Sequence, residues 1–200
     1  MKLLLIFILI GSLFTETNAQ KKESKYLGIA ALTTQTAVPF GKFSGLLTDQ
    51  FHPGVEATYG GNLSSRKKHD WSLELRLGYF FHRYVQHGIP LYLNFGYRYK
   101  LTKIISAETS LGAGYMHSIP ATEKLTLNEN GHYVNDKGVG RMQAMATYSL
   151  GLGCTPQPSV KKPLTIFMSY QQRVQMPFVK SYVPFLSYNS LMIGIRKVIR

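Results

Sequence analysis

Pro90-Leu91-Tyr92-Leu93-Asn94-Phe95-Gly96-Tyr97-Arg98-Tyr99-Lys100-Leu101 decides the architecture of this chain. Leu91, Leu93, Phe95, Tyr97, Tyr99 and Leu101 fall on one face of an extended chain. Tyr92, Asn94, Gly96, Arg98 and Lys100 fall on the other. At a helical period the two sets would mix around the cylinder; only a strand separates them. Trp71 to Phe81 repeats the pattern, with Trp71, Leu73, Leu75, Leu77, Tyr79 and Phe81 set against Ser72, Glu74, Arg76, Gly78 and Phe80. Ala107 to Tyr115 and Met142 to Gly153 alternate in the same way. Tyr26 to Thr34, His52 to Leu63, Pro163 to Met176 and Tyr188 to Ile199 alternate more weakly. The count is eight strands, and no linker divides them.

The face chemistry is inverted relative to a soluble sandwich. There the non-apolar set would carry Lys, Glu and Thr to meet water. Here it is rich in Gly, Ser, Asn and Gln, with charges of both signs. Small and paired polar groups fit the interior of a narrow barrel, and large apolar and aromatic groups fit a lipid-facing belt. A closed sheet also leaves no backbone amide unpaired in hydrocarbon. The expected fold is therefore all-β: an eight-stranded antiparallel up-and-down transmembrane β-barrel. The connections expected at the outer end are Gln35 to Phe51, His82 to Ile89, Ser118 to Val139 and Pro177 to Phe185. Those at the periplasmic end, Ser64 to Lys68, Thr102 to Ile104 and Thr155 to Lys162, are mostly shorter. Trp71, Tyr97 and Tyr99 at one end, and Tyr79, Phe81 and Tyr115 at the other, suit the two membrane interfaces.

Composition agrees. Charged residues make up 16% of the 200, hydrophobic residues 44%, and Tyr and Phe number 13 and 11. Disordered chains have few aromatics and high charge density, and coiled coils are built on other residues. Cys154 is the single cysteine, so an intramolecular disulfide and a multi-thiolate zinc site are excluded. Residues 1–19 read as a secretory signal peptide: Met1-Lys2, an apolar run from Leu3, and a small residue, Ala19, before Gln20. Residues 20–200 form the expected barrel domain. The net charge of +13 can mark nucleic acid or anionic lipid as partner; export removes nucleic acid. Lys21, Lys22, Lys25, Arg66, Lys67, Lys68, Lys103, Lys161, Lys162, Lys197 and Arg200 map to one rim, where outer-membrane lipid headgroups are the expected partners.

On these features the sequence resembles the small eight-stranded outer-membrane β-barrel proteins of Gram-negative bacteria, over Tyr26 to Ile199. The resemblance implies an outer-membrane location. Such proteins usually end in an aromatic residue that the assembly machinery reads, whereas this chain ends Lys197-Val198-Ile199-Arg200.

Candidate sites are few. Lumen charges are placed in complementary pairs: a turn centred on Lys103 sets Arg98 opposite Glu108. A connection centred on Gln86 or His87 sets Glu74 opposite Arg98 or Lys100, and a turn centred on Arg66 sets Arg76 opposite Glu56. Glu56, Glu74, Arg76, Arg98 and Glu108 are the expected lumen network. His52, His82, His87, His117 and His132 lie at or beyond the outer strand ends, and His69 at the other end. They lack the spacing of a metal motif and read as polar rim residues, with no metal and no cofactor expected. His117-Ser118 is the one catalytic candidate, for a lipid hydrolase or acyltransferase. Neighbours on a strand point to opposite faces, and no G-x-S-x-G elbow is present. The alternating glycines at Gly112, Gly114, Gly151 and Gly153 read as space for bulky lumen groups. The expected function is a non-enzymatic barrel whose outer loops or lumen interact with small ligands or surroundings. The alternatives are the lipid-modifying enzyme and a secreted soluble barrel that binds an apolar ligand. The long loop Ser118 to Val139 is expected to form a hairpin near Asn130-Gly131 or Asp136-Lys137-Gly138.

Overall fold

The computed structural model describes residues 24–38, 41, 45–48, 50–123, 125–129, 131–135, 138–178 and 184–199. Residues 1–19, expected as a signal peptide, and Lys21, Lys22, Asn130, Asp136, Lys137 and Arg200 lie outside the described residues. Eight long strands run as β1 (Lys25–Thr36), β2 (Pro53–Ser65), β3 (His69–His82), β4 (Gln86–Lys100), β5 (Ile105–Pro120), β8 (Arg141–Cys154), β9 (Leu164–Met176) and β10 (Leu186–Val198). Two short strands, β6 (Leu125–Leu127) and β7 (Tyr133–Asn135), stand between β5 and β8. One helical turn, α1 (Gly45–Thr48), precedes β2. The long strands pair with their chain neighbours, all antiparallel, and β1 closes on β10 from Tyr26↔Val198 to Thr36↔Tyr188. This is a closed up-and-down barrel. Among the described residues no helix is long and apolar enough to cross a membrane.

The alternation in the sequence becomes an inside and an outside. Along β3, Leu73, Leu75, Leu77 and Tyr79 are exposed, while Ser72, Glu74, Arg76 and Phe80 are buried. Leu77 is 51% exposed and Glu74 2%, so the apolar set faces outward. The same holds for Leu91, Leu93 and Phe95 on β4 and for Ile193 and Ile195 on β10. Outward aromatic groups gather near both strand ends. Trp71 stacks on Phe95 and tilts against Tyr97 at the end bearing the short turns, and Phe81 lies against His87 at the loop end.

Two registers differ from expectation. The connection between β3 and β4 is only residues 83–85, since His82 pairs with Gln86. The segment expected as a loop from His82 to Ile89 is mostly strand. It was hidden because His87 and Gln86 are polar, yet Gln86 points into the lumen and His87 packs against Tyr79. No pair is formed at Pro90 across from β3, where the proline has no N–H to give. Between β2 and β3 an irregularity at Asn62/Ser64 shifts the register, so Arg76 stands opposite Thr58 and Glu56 opposite Gly78.

The expected hairpin in the long loop is β6–β7, with Leu125 opposite Asn135 and Leu127 opposite Tyr133. Its turn spans 128–132. The backbone N–H groups of Gly131 and His132 donate to the carbonyl and side-chain oxygens of Asn128. Gly131 has φ +76°, a left-handed conformation that glycine adopts without strain.

Candidate functional site: a charged lumen with two mouths

The barrel interior is filled by side chains. Nine charged groups form one chain of alternating sign through it. Starting at the end bearing the short turns, Lys100 Nζ lies 2.8 Å from Asp70, and Asp70 3.8 Å from Arg98. Arg98 Nε donates to Glu108 Oε1 at 2.7 Å, and Arg196 Nη2 donates to both Glu108 oxygens at 2.7 and 2.9 Å. Arg196 continues to Glu74 at 3.5 Å, Glu74 to Arg76 at 2.6 Å, Arg76 to Glu56 at 3.1 Å, and Glu56 to Arg173 at 3.6 Å. Glu74 also accepts from Tyr26 Oη at 2.7 Å and Asn94 Nδ2 at 3.0 Å, and Glu56 accepts from Tyr92 Oη at 2.8 Å. Each carboxylate thus sits between two cations. That arrangement is what keeps a buried charge from an uncompensated desolvation cost.

Why these residues meet follows from strand geometry. Arg98 and Glu108 are directly opposed across the β4–β5 pair. Glu74 is opposite Asn94 and meets no cation from β4, because the tight connection at 83–85 places both Arg98 and Lys100 nearer the turns. Its partners instead are Arg76, two residues along its own strand, and Arg196 of β10. Arg76 reaches Glu56 diagonally, since the shifted register puts Thr58 across from it. Sequence reasoning omitted Asp70, Arg173 and Arg196 from the expected network and offered Lys100 only as a partner for Glu74, whereas it pairs with Asp70. Arg196 and Arg173 sit on weakly alternating strands, and their carboxylate partners come from across the lumen, where no turn fixes the pairing. A helical wheel or hairpin register cannot find such contacts; a closed barrel seam can.

The glycines make room for this chain. A Cβ on Gly153 would stand 2.7 Å from Ser106 Oγ and 2.8 Å from Glu108 Oε1. The space left among Glu74, Arg98, Glu108, Arg196 and the serines around them is about 30 Å³, enough to admit water. Below it the lumen opens into a bowl of about 970 Å³ at the turn end, walled by Lys67, Lys68, Lys100, Lys103, Lys161 and Lys162.

At the loop end, His117 and Ser118 are not brought together. Ser118 is buried and donates its hydroxyl proton to Gln86 Oε1. His117 is bonded through Nδ1 to Tyr115 Oη at 2.7 Å and through Nε2 to the Val139 carbonyl at 2.8 Å. His87 and His69 likewise pair with tyrosine hydroxyls. His52 and His82 are different: they stack on each other inside the barrel.

No protein-family profile and no curated protein matches the sequence. Solved structures do match in fold. The Neisserial surface protein A structure superposes with a TM-score of 0.52 at 6% identity, over 90% of this chain and 100% of that one. The attachment invasion locus protein of Yersinia pestis superposes with a TM-score of 0.50 at 15% identity, over 90% and 100%. At such identity the likeness is one of fold, and the fold is that of the small eight-stranded outer-membrane β-barrels.

Proposed function

We propose that this chain is an exported, non-enzymatic outer-membrane β-barrel that acts through its loop end and closes its own lumen. The observation that carries this reading is the apolar outer wall around an interior filled by nine alternating charges. A barrel of eight strands has an interior just wide enough for side chains, and this one spends that width on ion pairs. With the interior filled in this way, interactions fall to the loops and the rims. The lysines at the turn end, Lys67, Lys68, Lys103, Lys161 and Lys162, face the periplasm in this reading and contact anionic headgroups of the inner leaflet.

A lipid-modifying enzyme gains no support, since Ser118 lies in the lumen with Gln86 and His117 lies outside it with Tyr115. A soluble carrier of apolar ligands would need an apolar cavity, and here the apolar part of the interior, with Leu32, Phe80, Met116, Met145 and Met192, is a packed cluster beside the charges. The test is reconstitution of the full chain into planar bilayers, after fractionation of cells that make it. The expected outcome is recovery in the outer-membrane fraction and no stable conductance step. Recovery in the soluble fraction, or a persistent open pore, overturns the reading.

A further inference from the structure

At the turn end the chain of lumen charges opens into the bowl of about 970 Å³. Three connections bring lysines to its wall: Lys67 and Lys68 between β2 and β3, Lys103 between β4 and β5, and Lys161 and Lys162 between β8 and β9. Asp70 is the one carboxylate in the lining, and both Lys100 and Arg98 already engage it. Among the described residues the five connection lysines have no carboxylate partner. Like charges gathered in one concavity repel each other, and low-dielectric walls focus their positive potential into it. The backbone that carries them is braced. Lys100 N–H donates to the Lys68 carbonyl at 2.8 Å, Thr155 N–H to the Ile104 carbonyl at 2.7 Å, and Val198 N–H to the Pro163 carbonyl at 3.2 Å. Thr102 Oγ1 accepts from the N–H groups of Ile104 and Ile105, which closes the turn at Lys103. A wall fixed in this way loses less freedom when a ligand settles on it.

We propose that the bowl binds a soluble organic anion that carries several phosphate groups. A lysine ammonium group is a compact charge with three donors, and it meets phosphate oxygens without a fixed planar geometry. One carboxylate or one phosphate engages only part of so many ammonium groups; two or more phosphates on one molecule match them. The volume lies toward the top of the range of about 300–1,000 Å³ found for small-molecule sites. Leu101, Ile104 and Ile105 are exposed in the wall beside the lysines, so an organic body also finds apolar contact. Lipid headgroups offer the same phosphate oxygens, and the position of the bowl favours the soluble source. Asn62, Asp70, Arg98, Ser106 and Thr165 line it from five different strands, which places it on the barrel axis, whereas lipid surrounds the apolar outer wall. The rim contacts with headgroups proposed above use the ammonium groups one at a time from outside that ring. Binding inside it depends neither on the loop-end role nor on the orientation of the barrel, so either inference can fail without the other.

The test is isothermal titration calorimetry on the full folded protein in micelles of an uncharged detergent, with inorganic tripolyphosphate as the probe. The expected result is saturable binding of one equivalent. The triple variant Lys103→Gln/Lys161→Gln/Lys162→Gln should weaken it by more than about tenfold, because charge-assisted hydrogen bonds are lost. The triple variant Lys25→Gln/Arg66→Gln/Lys197→Gln removes the same charge from the same end of the barrel, but none of its three residues lines the bowl. It should leave the affinity within about twofold, since salt screens exposed charges at a distance. Equal weakening by the two triples overturns the proposal, because net charge alone would then account for binding; so does a wild type that binds no tripolyphosphate. Where the first triple fails to fold, Lys67→Gln/Lys68→Gln makes the same comparison from a different turn. Native mass spectrometry with added phosphatidylglycerol separates the two sources of phosphate. Lipid adducts that tripolyphosphate leaves in place support a soluble ligand. Adducts that it displaces, and that the bowl triple alone abolishes, put a headgroup in the bowl and overturn the assignment.

Discussion

Glu74 is the most heavily engaged charge among the described residues. It is 2% exposed and receives hydrogen bonds from Arg76, Tyr26, Asn94 and Arg196. Removing it leaves two buried guanidinium groups short of a counterion. Glu74→Ala should therefore destabilise the folded barrel by about 3–5 kcal/mol, the range for breaking a buried pair. Arg98→Ala should cost less, because Asp70 keeps Lys100 and Glu108 keeps Arg196 when Arg98 is gone. It should still cost more than Lys67→Ala on the rim, where exposed substitutions change stability by about 0.5 kcal/mol or less. Urea unfolding of the three variants in lipid vesicles checks the order. Equal midpoints for Glu74→Ala and Lys67→Ala would mean that the alternating chain holds nothing together. Sequence reasoning puts the weight on Arg98, because its pairing with Glu108 depends on one short turn. Glu74 gains its importance from β1 and β10, which meet β3 only across the closed lumen.

Individual strands were legible from alternation alone, and their ends were not. The outward sets of β3 and β4 alternate cleanly because only they meet the apolar surroundings. Beyond the belt that constraint lapses, and Gln86 to Ile89 looks like a loop although it is paired strand. The β6–β7 hairpin was legible through its turn chemistry: Asn128 caps the turn and Gly131 takes positive φ. The hairpin belongs to the connection of residues 121–140, at the opposite end of the barrel from the turns at 66–68 and 101–104. In the proposed orientation it lies outside the cell. An epitope inserted between Leu127 and Tyr133 should be reached by antibody on intact cells, and one inserted at Lys67 only after the outer membrane is opened. The opposite pattern would invert the barrel in the membrane and place the lysine-walled bowl outside.

At the scale of the whole molecule, closure is what lets an apolar exterior and a charged interior coexist. Every long strand has two neighbours, so no edge presents free amides, and the outer wall is a continuous surface of exposed leucine, isoleucine, phenylalanine and tyrosine. Soluble monomers rarely expose contiguous apolar patches above a few hundred Å²; here such a surface surrounds the barrel. The full chain should therefore need detergent for extraction. The hydrogen-bonded ladder between β1 and β10 and the ion pairs inside should keep the barrel folded in dodecyl sulfate until it is heated. Unheated protein is then expected to run as a compact, faster band on a denaturing gel, and boiled protein as a slower one. The Glu74→Ala variant adds a control, because a weakened interior should lower the temperature at which the fast band disappears while the apolar wall is unchanged. A single band at all temperatures, together with solubility in plain buffer, would show that the outward leucines are covered by something other than lipid.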